Sequence, residues 1–266
     1  MRAVFFCKKA RRINLMEITS FKIETVLPPK DDLLTKIKNS SLTLEEHDVI
    51  AISSKVVSIW KGRCVPAEGV SKDDLIRQEA ELYLERDEVS GKYVMHTITE
   101  GLLMPSAGID PFAGYFVLWP ENPKAVAGEL LAWFKETYKL EHLYVVLTDS
   151  RSVFLRRGVV GIALAWAGFE PLYDDRVRKD LLGHASGGSQ TNVPDSLAAS
   201  AVLVMGEANE QTPLVRIRNA PYVREKQSGK KKVFNTFEFD MHEDLFAPFM
   251  NRLPWKNGGA TTDAQE

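Results

Sequence analysis

The chain has 266 residues, 44% hydrophobic and 26% charged, which excludes a collagen-like, low-complexity or wholly disordered polypeptide. That length suits one large domain or two small ones with a real buried core. Lysine and arginine total 34 against 36 acidic residues, a net charge of −2, so no overall basic field exists to grip nucleic acid or anionic lipid.

Residues 1–15 read as a basic extension carrying Lys8, Lys9, Arg11 and Arg12. Either Met16 is the true start or this is a solvated basic arm. Its apolar stretch is too short for a signal peptide, and the basic residues follow that stretch instead of preceding it. Ile18–Val26 reads as a strand, followed by a turn at Pro28 and Pro29. Asp31 is expected to cap a short helix with Leu33, Leu34 and Ile37 on one face. Val49–Ser53 is a short apolar strand running into Ser54 and Lys55. Ser71 with Asp74 resembles a capping box and opens a helix with Leu75, Ile76, Leu82 and Tyr83 at helical spacing.

Lys92–Thr97 and Tyr115–Trp119 are strand-like, and Asn122 can cap a helix over Lys124–Tyr138. Leu143–Thr148 is the clearest buried strand and ends at Asp149. The longest apolar run, Val159–Phe169, is too short to span a bilayer and contains Gly161 and Gly168. Asp195 falls in the first turn of a helix over Ser196–Met205, and Leu214–Ile217 is a late strand. After Pro221 a polar, basic stretch precedes Phe234, Phe237, Phe239, Leu245, Phe246, Phe249 and Trp255, which should pack on the body or on a partner subunit; residues 257–266 read as a disordered tail. The expected fold class is α/β or mixed α+β, with a main domain over 16–220 and a C-terminal segment over 221–266. Two cysteines, Cys7 and Cys64, exclude a disulfide framework, and a reducing, cytoplasmic setting is expected.

No Cys/His cluster has zinc-site spacing, and no P-loop, GxGxxG or H-E-x-x-H occurs. Two aspartates stand out by position. Asp149 follows a buried strand and is trailed by Ser150; Asp110 follows the tight stretch Ser106-Ala107-Gly108-Ile109. Carboxylates at strand ends beside small residues are oxygen ligands for Mg²⁺ or Mn²⁺, or else they cap turns. Ser54 and Lys55 at a strand end could meet a phosphate, or Lys55 could be a solvated loop lysine. Arg151, Arg156 and Arg157, then Arg176 and Arg178, suit an anionic substrate or form a basic surface loop. Glu207, after Gly206, is a third candidate oxygen ligand or an exposed acid beyond a helix end. His184 and His96 read as structural.

The ordered set of motifs resembles the coenzyme F-420 gamma-glutamyl ligase family. Leu27-Pro28-Pro29 with Asp31-Asp32-Leu33 is similar to that family's L-P-x-x-x-G-D-D-L, and Ser54-Lys55-Val56-Val57-Ser58 with Gly62-Arg63 to its S-K-x-V-S-K-x-E-G-R. Ala107-Gly108-Ile109-Asp110 matches A-G-I-D, Tyr115–Pro120 with Asn122-Pro123 resembles Y-x-L-L-P-x-D-P, and Thr148-Asp149-Ser150 with Arg157-Gly158 resembles S-D-S/T and R-x-G. Pro194–Ala198 and Leu203–Glu207 resemble A-D-x-L-A and L-V-M-G-E/Q.

The resemblance implies mixed sheets with flanking helices in an intertwined homodimer. It implies a GTP-dependent, Mg²⁺- or Mn²⁺-assisted ligase joining L-glutamate to a carboxylate of a small acceptor, a deazaflavin precursor or a folate-like molecule, through an acyl phosphate. Carried over by motif, Asp110, Asp149, Ser150 and Glu207 would ligate metal, with Arg157 beside Asp110 and Asp149 in the catalytic set. Leu27, Pro28, Pro29, Lys30, Ser54, Lys55 and Glu207 would meet the nucleotide. No membrane or nucleic-acid partner is implied. The family's second lysine is Ile59 here, Pro111-Phe112-Ala113 stands where it has E-S-N, Arg151-Ser152-Val153-Phe154 replaces its G-R-P, and Gly183-His184 replaces a late Gly-Arg. These departures leave an alternative, a non-catalytic nucleotide or small-molecule binding protein on the same fold. A weaker third reading is a metal-dependent hydrolase of an anionic small molecule.

Overall fold

The computed structural model describes residues 15–174, 179, 182–184, 189–225 and 241–260. Cys7, Arg176, Arg178, Phe234, Phe237 and Phe239 lie outside the described residues. A five-stranded sheet forms the centre, in the order β1 (Glu17–Phe21), β13 (Leu214–Arg218), β2 (Val49–Ser53), β9 (Tyr144–Ser152) and β10 (Val159–Ala167). Only β2 and β9 are parallel; the other pairs are antiparallel. Strand β2 is apolar from Val49 to Ile52, where both of its faces are buried. Val49 and Ala51 point to one face and Ile50 and Ile52 to the other, following the two-residue period of a strand.

Helix α5 (Val193–Met205) covers the first face with Leu197, Ala198 and Ala201. Helices α1 (Leu33–Lys38), α2 (Ser54–Lys61) and α4 (Pro123–Tyr138) cover the second with Leu33, Ile37, Val57, Leu130 and Phe134. The outcome is a mixed α/β fold with flanking helices.

Three smaller sheets surround this core. One is β14 (Lys256–Asn257), β4 (Leu82–Leu84), β5 (His96–Thr99) and β6 (Leu102–Pro105); another is β3 (Cys64–Pro66), β8 (Tyr115–Val117) and β7 (Asp110–Phe112); the last pairs β11 (Leu172–Asp174) with β12 (Gln190–Asn192). Helix α3 (Lys72–Glu79) packs Leu75 and Ile76 on Ala107, Ile109 and Leu118. Helix α6 (Ala247–Met250) precedes β14, whose following residues tie back through Gly258 and Gly259 N–H groups to Glu81 and Arg77 carbonyls. Among the described residues no helix is long and apolar enough to cross a membrane.

Several elements differ from expectation for local reasons. Asp32, not Asp31, caps α1, its carboxylate accepting from the Thr35 N–H; Asp31 instead accepts from the Leu27 and Asp32 N–H groups and pairs with Lys36. Helix α3 stops at Glu79 because Ala80 is extended, and Leu82 and Tyr83 pair with Ile98 and Thr97 as strand β4. Strand β9 runs past Asp149 to Ser152 because it forms a hairpin with β10, pairing Asp149 with Ile162. Ser54 and Lys55 are not in a loop but open α2.

Strand β10 and α5 are locked together. The register of β10 shifts between Ala163 and Ala165, leaving Leu164 and Ala165 both on the second face. At this bulge the Ala163 N–H donates to Asp195 Oδ1 at 2.9 Å, and Asn192, the α5 cap, donates to Asp195 Oδ2. Gly161 lets the helix approach: a Cβ there would lie 2.6 Å from the Ala198 carbonyl oxygen.

Candidate active site

Parallel strands β2 and β9 end their pairing at Ser53 and Thr148, so the next residues, Ser54 and Asp149, emerge side by side. Clefts beyond the carboxyl ends of parallel strands are the usual ligand positions in α/β sheets. Here the cleft has about 180 Å³ and is lined by Ser54, Lys55, Ser58, Asp110, Trp119 and Asp149 among others.

Asp149 keeps partial solvent access, yet three donors surround its carboxylate. The Trp119 indole N–H donates to Oδ2 at 2.5 Å, the Ser54 hydroxyl to the same oxygen at 2.9 Å, and the Ser150 N–H to Oδ1 at 2.7 Å. Desolvation outweighs these donors and pushes the carboxyl up to about 6, with the Asp110 charge adding to the rise.

Asp110 opens β7 after a turn in which Ser106, Ala107 and Gly108 all have positive φ. The buried Thr97 hydroxyl holds this turn, accepting from the Ala107 N–H and donating to the Met104 carbonyl. A glycine is required at 108, because a Cβ there would lie 2.2 Å from the Trp119 ring. Asp110 forms an ion pair with Lys55 at 2.9 Å across the mouth of the cleft. The half-buried Lys72 adds a second ammonium within the field of Asp110; burial depresses its pKa and the Asp110 charge partly restores it.

The structure thus brings together Ser54, Lys55, Asp110 and Asp149. Ser150 follows directly, and its hydroxyl lies 3.3 Å from Glu207 Oε2, so Glu207 is adjacent. Of the stretch from Leu27 through Pro28 and Pro29 to Lys30, the Lys30 stem runs beside Gly62 at the C-terminal end of α2. That is roughly 12 Å along the helix from Ser54. Arg157 sits in the exposed turn between β9 and β10. Sequence reasoning missed Trp119, which read as the end of an apolar strand, and Lys72, which nothing in the sequence marks.

The donors Asp110, Asp149, Ser150 and Glu207 are hard oxygens, the ligand type of Mg²⁺ and Mn²⁺. Among the described residues, no group of three or more His, Cys, Asp or Glu side chains is arranged to hold a metal. A catalytic Mg²⁺ usually takes one or two carboxylates and completes its shell with water and substrate phosphates, not with an all-protein cage. Asp110 at the start of β7, with Asp149 and Ser150 inside β9, are donors of that kind.

Trp119→Phe keeps the ring over Gly108 and removes the N–H that holds Asp149. We expect Mn²⁺ affinity, measured by electron paramagnetic resonance, to fall about tenfold. Unchanged affinity would show that Ser54 and Ser150 suffice to orient the carboxylate.

This mixed α/β chain gathers carboxylates, hydroxyls and a lysine beyond a parallel strand pair. The family model described as F420-0:Gamma-glutamyl ligase matches residues 24–219. The chain belongs to that family and is an acid–amino-acid ligase. It is 31% identical over 237 residues to the Coenzyme F420:L-glutamate ligase of Methanopyrus kandleri, covering 82% of this chain and 92% of that protein. Over 235 residues it is 28% identical to the enzyme of the same name from Methanococcus maripaludis strain C6, covering 82% and 94%. Its match to the one from Methanocaldococcus jannaschii is 29% over 221 residues, covering 80% and 84%.

Proposed function

We propose that this ligase uses GTP and a divalent cation to form an amide between L-glutamate and a carboxylate of a small acceptor, a deazaflavin precursor or a folate-like molecule. The observation that carries this reading is the convergence of Lys55, Ser54, Asp110 and Asp149 beyond the parallel strands. The acceptor carboxylate attacks the γ-phosphorus of GTP, the bond to the β-phosphate oxygen breaks, and GDP leaves. The glutamate amine then attacks the acyl carbon of the acyl phosphate, loses a proton and expels phosphate. Lys55 would release Asp110 and turn its ammonium toward the transferring phosphoryl group. Asp110, Asp149, Ser150 and Glu207 would hold Mg²⁺ or Mn²⁺, which supplies neutralisation of the charge developing on phosphoryl oxygens. Trp119 and Ser54 keep the Asp149 carboxylate in place meanwhile.

A homodimer is part of this reading. The β9–β10 turn exposes Phe154 and Leu155, α5 exposes Leu203, and the Phe246 ring lies 6.1 Å from that of Phe154. Such apolar surface is the kind a second subunit covers.

The test is phosphate release from GTP with Mn²⁺, measured with and without L-glutamate and a carboxylate-bearing deazaflavin or folate. Release that needs both partners is expected. Nucleotide binding without any release would favour the second reading, a non-catalytic binding protein. That reading draws support from Ile59, which stands where the family's second lysine would be and is only 1% exposed in the core.

A further inference from the structure

Helix α2 contributes more to the cleft than its first two residues. Ser58 follows Ser54 by four positions, so the two side chains stand one above the other on the same helix face. The Ser54 hydroxyl is engaged with Asp149. Ser58 is 1% exposed, its Oγ has no hydrogen-bond partner, and it lines the same cleft. A buried hydroxyl left unpaired lowers stability, and alanine at this position would both remove that penalty and suit the helix better. Packing therefore gives no reason for a serine here, whereas a ligand in the cleft does.

The cleft is small and open to solvent, so a larger ligand would meet it through one end. The groups around it are an ammonium at Lys55, carboxylates at Asp110 and Asp149, and the free hydroxyl. A phosphoryl group has three terminal oxygens, enough to meet a lysine, a carboxylate-bound cation and a hydroxyl together. A carboxylate has two and would leave one of them unmet.

We propose that the Ser58 hydroxyl donates a hydrogen bond to the terminal phosphoryl group of the bound nucleoside triphosphate, a contact that the diphosphate cannot make. This rests on the nucleotide reading above.

The experiment is calorimetric titration of GTP, and separately of GDP, into the full chain and its Ser58→Ala variant with Mn²⁺ present, with thermal unfolding of both proteins alongside. In the variant GTP should bind about tenfold more weakly, as expected for loss of a hydrogen bond to a charged group, while GDP affinity stays the same. Its melting temperature should be equal to or higher than that of the parent. Unchanged GTP affinity, or equal weakening of GTP and GDP, overturns the proposal. If the unsubstituted protein binds neither nucleotide, the nucleotide reading falls and takes this proposal with it, an outcome visible before any substitution is made.

Discussion

Replacing Asp149 by Asn is expected to reduce nucleotide-dependent phosphate release by about 10²–10³-fold while making the metal-free protein more stable at neutral pH. The two effects have one cause. Desolvation raises the carboxyl to about 6, roughly two units above 3.8, so holding it ionised in the folded chain costs about 3 kcal/mol at pH 7. The amide still accepts from Trp119 and Ser54, but its NH₂ meets the Ser150 N–H, which returns about 1 kcal/mol of the gain. A net stabilisation on the order of 1–2 kcal/mol remains.

The pH dependence follows in sign. Between pH 3.8 and about 6 the folded chain holds this proton more tightly than the unfolded chain, so this group's contribution to stability falls as pH rises through that window. The penalty is absent below pH 3.8 and complete above about 6. Urea unfolding with a chelator present, at pH 5 and pH 7.5, should show the advantage of Asp149→Asn growing with pH. A variant that is less stable than its parent at pH 7.5 would mean the carboxylate is a structural anchor and not a group held ionised for a ligand.

The second large effect is expected far from the cleft. Arg218, at the end of β13, grips Asp48 through Nε at 2.9 Å and Nη2 at 2.8 Å, and reaches Glu45 through Nη1 at 2.7 Å. Asp48 is 1% exposed, and among the described residues its other donor is the Glu45 N–H. This pairing, with Asp48 as the main partner, holds the guanidinium firmly protonated. Arg218→Met leaves a buried carboxylate without its counter-charge and should destabilise by about 3–5 kcal/mol. In a chain of this size that lowers the melting temperature by roughly 10 °C. Adding Asp48→Asn should restore part of the loss, because the stranded charge is gone. No recovery in the double variant would place the cost in lost packing of the arginine stem instead.

Both predictions concern residues of unequal legibility. Strand β2, helices α4 and α5 and strand β13 declare themselves by apolar runs, helical spacing and capping residues such as Asn122. Strand β10 does not: it is apolar on both faces and contains Gly161, whose reason is the α5 backbone beside it, invisible in one dimension. Helix α2 has little local signal because Val56, Val57 and Ile59 are β-branched and favour strand, a preference that burial overrides. The three-residue strands β3, β4 and β7 carry too little pattern for any periodicity, whereas β8 falls inside the strand-like Tyr115–Trp119.

In the site, Asp110 and Asp149 could be singled out by their small neighbours, and Ser54 and Lys55 by their strand end. Their convergence depends on the parallel register of β2 and β9, which no local pattern encodes. The hold of Trp119 on Asp149 and the pairing of Arg218 with Asp48 are contacts between distant segments, and only the fold discloses them.

Because the Ser54 and Asp149 side chains meet across 95 residues of sequence, the order of synthesis matters. Closing so long a loop must precede any reward from the contacts it makes, and parallel pairing is slow for that reason. A nascent chain that has emerged through α4 already holds Ser54, Lys55, Asp110 and Trp119, but not the aspartate around which they gather. Helices α4 and α5 are built from neighbours in sequence and can form early; the cleft cannot exist until β9 has inserted beside β2. Ligand binding therefore reports on completed folding, and a ribosome stalled before β9 carries a chain with none of this chemistry.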